Sequence, residues 1–158
     1  MKHINWREVK MYPESSYELR DRNVIREYCL GGKAIVTLLS PTGKYHSYYI
    51  CTPWMEDKDE FSDTIRFVYV LNKLHRWVYL GELCNDGQFF RKTKNSKYMS
   101  GSEEFKGMVY IVKLMNKDVK TPMKLYHAGC CSRCGRKLTD PISIERGFGT
   151  KCYKQSKM

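Results

Sequence analysis

Residues 127–152 read HAGCCSRCGRKLTDPISIERGFGTKC, and they hold four of the seven cysteines of the chain. Cys131 and Cys134 form a Cys-x-x-Cys followed by Gly135. Such a turn aims two thiolates at one point, and the glycine lets backbone amides approach the sulfurs. A closed tetrahedral zinc site needs two more soft ligands. Cys152 stands downstream at a spacing typical of small zinc modules. The fourth ligand comes from His127 or Cys130. Neighbouring residues rarely ligate one metal without strain, so His127 is better placed than Cys130, which adjoins Cys131. The expectation is one structural Zn2+ on His127, Cys131, Cys134 and Cys152. A catalytic zinc would need an open position and a nearby acid or base. Only Asp140 and Glu145 are near in sequence, and Asp140-Pro141 reads as a turn. A redox Cys-x-x-Cys would not need Cys152 or His127 beside it.

The run Cys-x-x-Cys-Gly-Arg-Lys-Leu-Thr-Asp-Pro-x-Ser-Ile-x-x-Gly-x-Gly-x-x-Cys from Cys131 resembles a small zinc-binding domain of unknown function that is common in phages and prophages. An upstream histidine is usual in those proteins, and His127 takes that place. The resemblance extends more loosely from Tyr79 to Gly107, and residues 1–30 fall outside it. It implies a fold for the tail and a phage context, and so the cytoplasm of a bacterial host cell. It implies no activity.

The 158 residues suffice for one core with a small metal-stapled tail. No run of about eighteen apolar residues is present, so no membrane span is expected. The start, Met1 to Arg7, lacks the apolar stretch of a signal peptide. An odd cysteine count with clustered metal spacing points to a reducing compartment and to free Cys29, Cys51 and Cys84. The net charge of +11, with 13% aromatic residues, points to polyanionic partners. From Lys120 onward the chain carries nine basic residues and two acidic ones. Arg91, Lys92, Lys94 and Lys97 make a second basic cluster, and acids collect from Glu56 to Asp63.

In chain order, residues 1–13 read as an arm docked by Trp6, Met11 and Tyr12. Val24, Ile25, Tyr28 and Cys29 give a helical stripe that ends at Gly31-Gly32. Lys33–Ser40 and Tyr45–Thr52 read as a hairpin, and Thr64–Asn72, Arg76–Leu83 and Gln88–Thr93 as further strands. Arg66, Val68 and Val70 share one face of Thr64–Asn72, with Ile65, Phe67, Tyr69 and Leu71 on the other. Asn85-Asp-Gly87 is a hairpin turn. Ser102 caps a helix running to Asn116, with Phe105, Met108, Val109, Val112 and Met115 on its apolar stripe. Asp118–Leu125 is a connector. The fold expected is α+β: an antiparallel sheet of about five strands covered by one or two helices (residues 1–118), then a zinc knuckle module (residues 119–158).

No phosphate-binding glycine loop, nucleophile elbow or carboxylate pair is visible. His46, His75, Cys51 and Cys84 each fall within a predicted element as packed residues. The chain is therefore read as a binding protein, not an enzyme. The leading expectation is nucleic-acid binding by the basic tail through Arg133, Arg136, Lys137, Arg146, Lys151 and Lys154, with Phe148 and Tyr153 stacking on unpaired bases. Tyr45, Tyr48 and Tyr49, with Lys44 and His46, would form a second platform. Single-stranded DNA or RNA fits better than duplex, because no recognition helix is evident. The alternative, from the phage context, is a protein that binds and modulates a host protein. Nothing in the sequence selects an oligomeric state.

Overall fold

The computed structural model describes residues 17–53 and 64–156. The expected arm of residues 1–13 and the acidic segment Glu56–Asp63 lie outside the described residues.

The chain enters through β1 (Glu18–Leu19) and turns into α1 (Arg22–Cys29). The Asp21 carboxylate caps α1 by accepting from the backbone N–H groups of Asn23 and Val24, at 2.8 and 3.3 Å. The helix stops before Gly31-Gly32, as expected. The hairpin β2 (Lys33–Leu39) and β3 (Tyr45–Cys51) follows, then β4 (Arg66–Leu71), β5 (Trp77–Cys84) and β6 (Phe89–Arg91). The β5–β6 turn takes Asn85, Asp86 and Gly87 into positive φ (55°, 55° and 85°). Asparagine, aspartate and glycine tolerate that region best. Next come α2 (Glu103–Asn116), β7 (Lys124–His127), α3 (Pro141–Arg146) and α4 (Thr150–Ser156).

Among the described residues the sheet has seven strands in the order β1-β7-β2-β3-β4-β5-β6, every pairing antiparallel. The two beyond expectation are β1 and β7. Both are short, and β7 lies within a stretch read mostly as connector. It slots between β1 and β2, pairing Val36 with His127 and Leu38 with Leu125. The strand that leads into the cysteines is therefore part of the sheet.

One face of the sheet carries Val36, Leu38, Tyr48, Ile50, Val68, Val70, Leu80 and Leu83, all buried against α1 and α2. Helix α2 contributes Phe105, Met108, Ile111, Val112, Leu114 and Met115. Val109, expected on that stripe, is 46% exposed, and Ile111 packs inward instead. Tyr48 also belongs to this core and cannot serve as an exposed platform. The other face bears an aromatic row. Tyr49, Tyr69, Tyr79 and Phe67 lie in successive ring contacts of 5.7–6.2 Å, and Trp77 sits 5.9 Å from Tyr49.

Tyr48 fixes how closely α2 approaches the sheet. Its hydroxyl donates to the Glu104 carbonyl at 2.7 Å. A Cβ at Gly107 would run into the same hydroxyl. Alanine normally stabilises a helix interior over glycine by about 1 kcal/mol. Here Gly107→Ala is expected to lower stability by about 1–3 kcal/mol through overpacking. Adding Tyr48→Phe should recover part of that loss. Chemical denaturation of the single and double variants tests this, and a Gly107→Ala protein as stable as wild type would contradict the packing.

Candidate metal centre and its basic surround

After β7 the chain makes a tight loop. Cys131 N–H donates to the Arg136 carbonyl at 2.7 Å, and Gly135 N–H donates back to the Cys131 carbonyl at 2.9 Å. Asp140, read from sequence as part of a turn, is the N-cap of α3, its carboxylate accepting from Ser143 N–H at 3.0 Å, and Pro141 opens the helix. That is the position proline suits. Gly147 ends α3 in the left-handed region (φ 78°), and a Cβ there would strike the Tyr28 ring. The glycine thus lets the chain reverse against Tyr28 and send α4 back with Cys152.

The result is a cluster of three thiols. The sulfurs of Cys131, Cys134 and Cys152 lie within 4.8 Å of one another, and the three could hold a metal ion. Cys131 is buried, and Cys134 and Cys152 are partly so. Burial works to raise the Cys131 pKa. The backbone N–H groups of Cys134, Gly149 and Arg133 directed at its sulfur outweigh it and hold this thiol below its ordinary value. Amides converging on a sulfur favour the thiolate, the form that ligates metals. Cys152 is pushed up to about 11, first by burial and then by the neighbouring Cys131 sulfur.

His127, expected as the fourth ligand, does not join the cluster. It is 3% exposed, between Tyr17 and Tyr28, with ring centroids 5.2 Å away on each side. Both ring nitrogens have backbone partners. Nδ1 accepts from Gly129 N–H at 3.0 Å, so Nε2 carries the proton and donates to the Ile144 carbonyl at 2.5 Å. Cys130 lies outside the cluster too, in an antiparallel bridge to Lys137. Among the described residues no further His, Cys, Asp or Glu joins the three.

The cysteine segment is sewn to the corner between α1 and β2. Ser132, fully buried, accepts at its carbonyl from Lys33 N–H at 2.6 Å and donates its N–H to the Gly147 carbonyl at 2.9 Å. Its hydroxyl bonds the Tyr28 carbonyl. The Tyr28 hydroxyl donates to the Cys130 carbonyl at 3.1 Å. Sequence reasoning missed Tyr28 and Ser132 as organisers. The stripe in α1 signalled that Tyr28 is buried, but not against what.

Of the expected nucleic-acid contacts, Arg133, Arg136, Lys137, Arg146, Lys151 and Lys154 are all exposed. Phe148 is not available: it is 4% exposed and packs edge-on to Tyr28, with Cys131 and Leu138 in the same small core. The glycine before it, Gly147, serves the chain reversal. Tyr153 is half-buried, with the Arg146 guanidinium 4.1 Å above its ring. No helix of the described residues is long and apolar enough to cross a membrane.

Residues 126–157, about a fifth of the chain, match the model of DUF6011, a family of unknown function. No curated protein and no solved structure matches the chain.

Two outcomes follow from this geometry. Outer-shell changes alone cost metal sites about 10–100-fold in affinity, so Cys131→Ser, Cys134→Ser and Cys152→Ser should each cost at least that. His127→Gln and Cys130→Ser should keep the sulfur-to-metal absorption band of the cobalt-loaded protein. Loss of that band in His127→Gln would show the imidazole to be a ligand.

The second concerns acid. Burial lowers the His127 pKa from 6.5 to about 4, against a smaller opposing effect of the Ile144 carbonyl. Between those values the unfolded chain binds a proton that the fold refuses. The stabilisation is complete above about pH 6.5 and is lost as pH falls through about 4, on the order of 3 kcal/mol. Urea denaturation of metal-free protein across this range should show a shallower pH dependence for His127→Gln; an unchanged slope would contradict the neutral, sealed imidazole.

Proposed function

We propose that this chain is a zinc-stapled basic protein that binds single-stranded nucleic acid. Thiolates are soft donors that select zinc over hard cations. Zinc–sulfur bonds of about 2.3 Å in a tetrahedron separate the sulfurs by about 3.8 Å. Three sulfurs already within 4.8 Å need only a small closure. The ion would lock Cys152 on α4 to the Cys131–Cys134 turn and so fix the surface that both display.

The observation that carries the nucleic-acid reading is the charge of that surface. Six exposed cations (Arg133, Arg136, Lys137, Arg146, Lys151 and Lys154) lie in the same segment as the cysteines. Of the two carboxylates in the segment, Asp140 is engaged in capping α3. Cations held by a rigid turn suit phosphates. The Arg146 guanidinium lying on Tyr153 makes a flat, charged platform on which an unpaired base can stack. Helices α3 and α4, of 6 and 7 residues, are too short to read a major groove, which favours single strands.

The test is binding of labelled single-stranded oligonucleotides to protein of known zinc content, across a salt series. Tight binding at low salt with a steep salt slope is expected. Arg133→Ala combined with Arg136→Ala should weaken it with zinc retained and flatten the slope by about 0.7 per lost phosphate contact. No binding at low salt by protein that holds its zinc would overturn the reading, most directly if that protein instead captured another protein stoichiometrically.

A further inference from the structure

The pairing registers align residues across the face of the sheet that points away from α1 and α2. One row runs Lys33, Cys51, Phe67, Glu82, Arg91 from β2 to β6. The next runs Ile35, Tyr49, Tyr69, Tyr79. The rings form an unbroken ladder: Tyr49 to Tyr69 at 6.2 Å, Tyr69 to Tyr79 at 5.7 Å and Tyr79 to Phe67 at 6.0 Å. All four are only partly buried. The rings occupy the central strands β3 to β5, and cations flank them on either side of the face. At the β2 end, Lys33 is hydrogen-bonded through its N–H to Ser132 of the cysteine segment, and its side chain lies beside Gly135. At the β6 end, Lys92, Lys94 and Lys97 are exposed. The carboxylate in the row, Glu82, is neutralised by Arg91 at 2.7 Å. Four strand spacings separate the ends, roughly 19 Å.

We infer that this face is a binding track for a single-stranded nucleic acid. The strand would leave the basic cysteine segment near Lys33, lay bases on Tyr69, Tyr79 and Phe67, and end with its phosphates on the β6 cluster. The inference rests on the nucleic-acid reading of the cysteine segment and extends it to a second surface. Charge complementarity selects the occupant: rings between two cationic ends match a chain that alternates π-faces with anions, whereas an apolar peptide would gain nothing from the lysines.

The experiment measures affinity for a labelled homopyrimidine strand. Tyr69→Ala and Tyr79→Ala are each expected to weaken binding about tenfold, with Tyr→Phe at the same positions restoring it because the ring is kept. Lys92→Ala with Lys94→Ala, on an exposed loop where folding is not at risk, should weaken binding and flatten the salt slope. If the wild-type protein binds and the Arg133/Arg136 change weakens it, while the Tyr69, Tyr79 and Lys92/Lys94 variants bind as the wild type does, the track is refuted and the role of the cysteine segment stands. If the wild-type protein binds no oligonucleotide, the nucleic-acid reading fails and the track fails with it.

Discussion

The pairing of Tyr28 with a neutral His127 holds the sheet and the cysteine segment together. The imidazole ends β7 and reaches the carbonyl of Ile144 in α3. Tyr28, from α1, packs on the imidazole, on Phe148 and over Gly147, and its hydroxyl bonds the Cys130 carbonyl. Neither ring has room for charge. Burial keeps the histidine unprotonated and pushes the tyrosine pKa far above its ordinary value. With both rings neutral and hydrogen-bonded, the junction incurs little of the penalty of buried polar groups. The three thiols inherit their positions from it: Cys131 follows the loop that His127 starts, and Cys152 follows the reversal that Gly147 makes against Tyr28.

Much of the fold was legible because it rests on local signals. Apolar runs bounded by turn residues marked β2 to β6, Gly31-Gly32 ended α1, Asn85-Asp86-Gly87 set a hairpin, and Ser102 with two glutamates opened α2. What escaped depends on partners distant in sequence. Strands β1 and β7 are too short for periodicity to register, and their pairing joins residue 18 to residue 126. Val109 fits the apolar stripe as well as Ile111 does, and only which side of α2 faces the sheet separates them. Asp140-Pro141 had the residues of a helix start and was read as a turn because the helix behind it is so short.

The thiol cluster was legible in its cysteines, whose spacing brings three sulfurs together, and the sequence was misleading in its histidine. A histidine near a Cys-x-x-Cys invites ligation, yet its location at the end of a buried strand gives it two backbone partners instead. The same limit applies to Phe148, which was read as a ring that stacks on bases and which a tyrosine 120 residues upstream buries. By contrast, the exposed basic residues were read correctly as exposed, since a lone cation needs no distant partner to stay in water.

In the function proposed, Cys131, Cys134 and Cys152, without His127, hold the zinc that fixes the basic surface. X-ray absorption at the zinc edge of the zinc-loaded protein tests it most directly. Three sulfurs at about 2.3 Å, with the same spectrum from His127→Gln, is the result this account predicts. Fewer than three sulfurs, a spectrum that changes when His127 is replaced, or a protein that retains no zinc would contradict it.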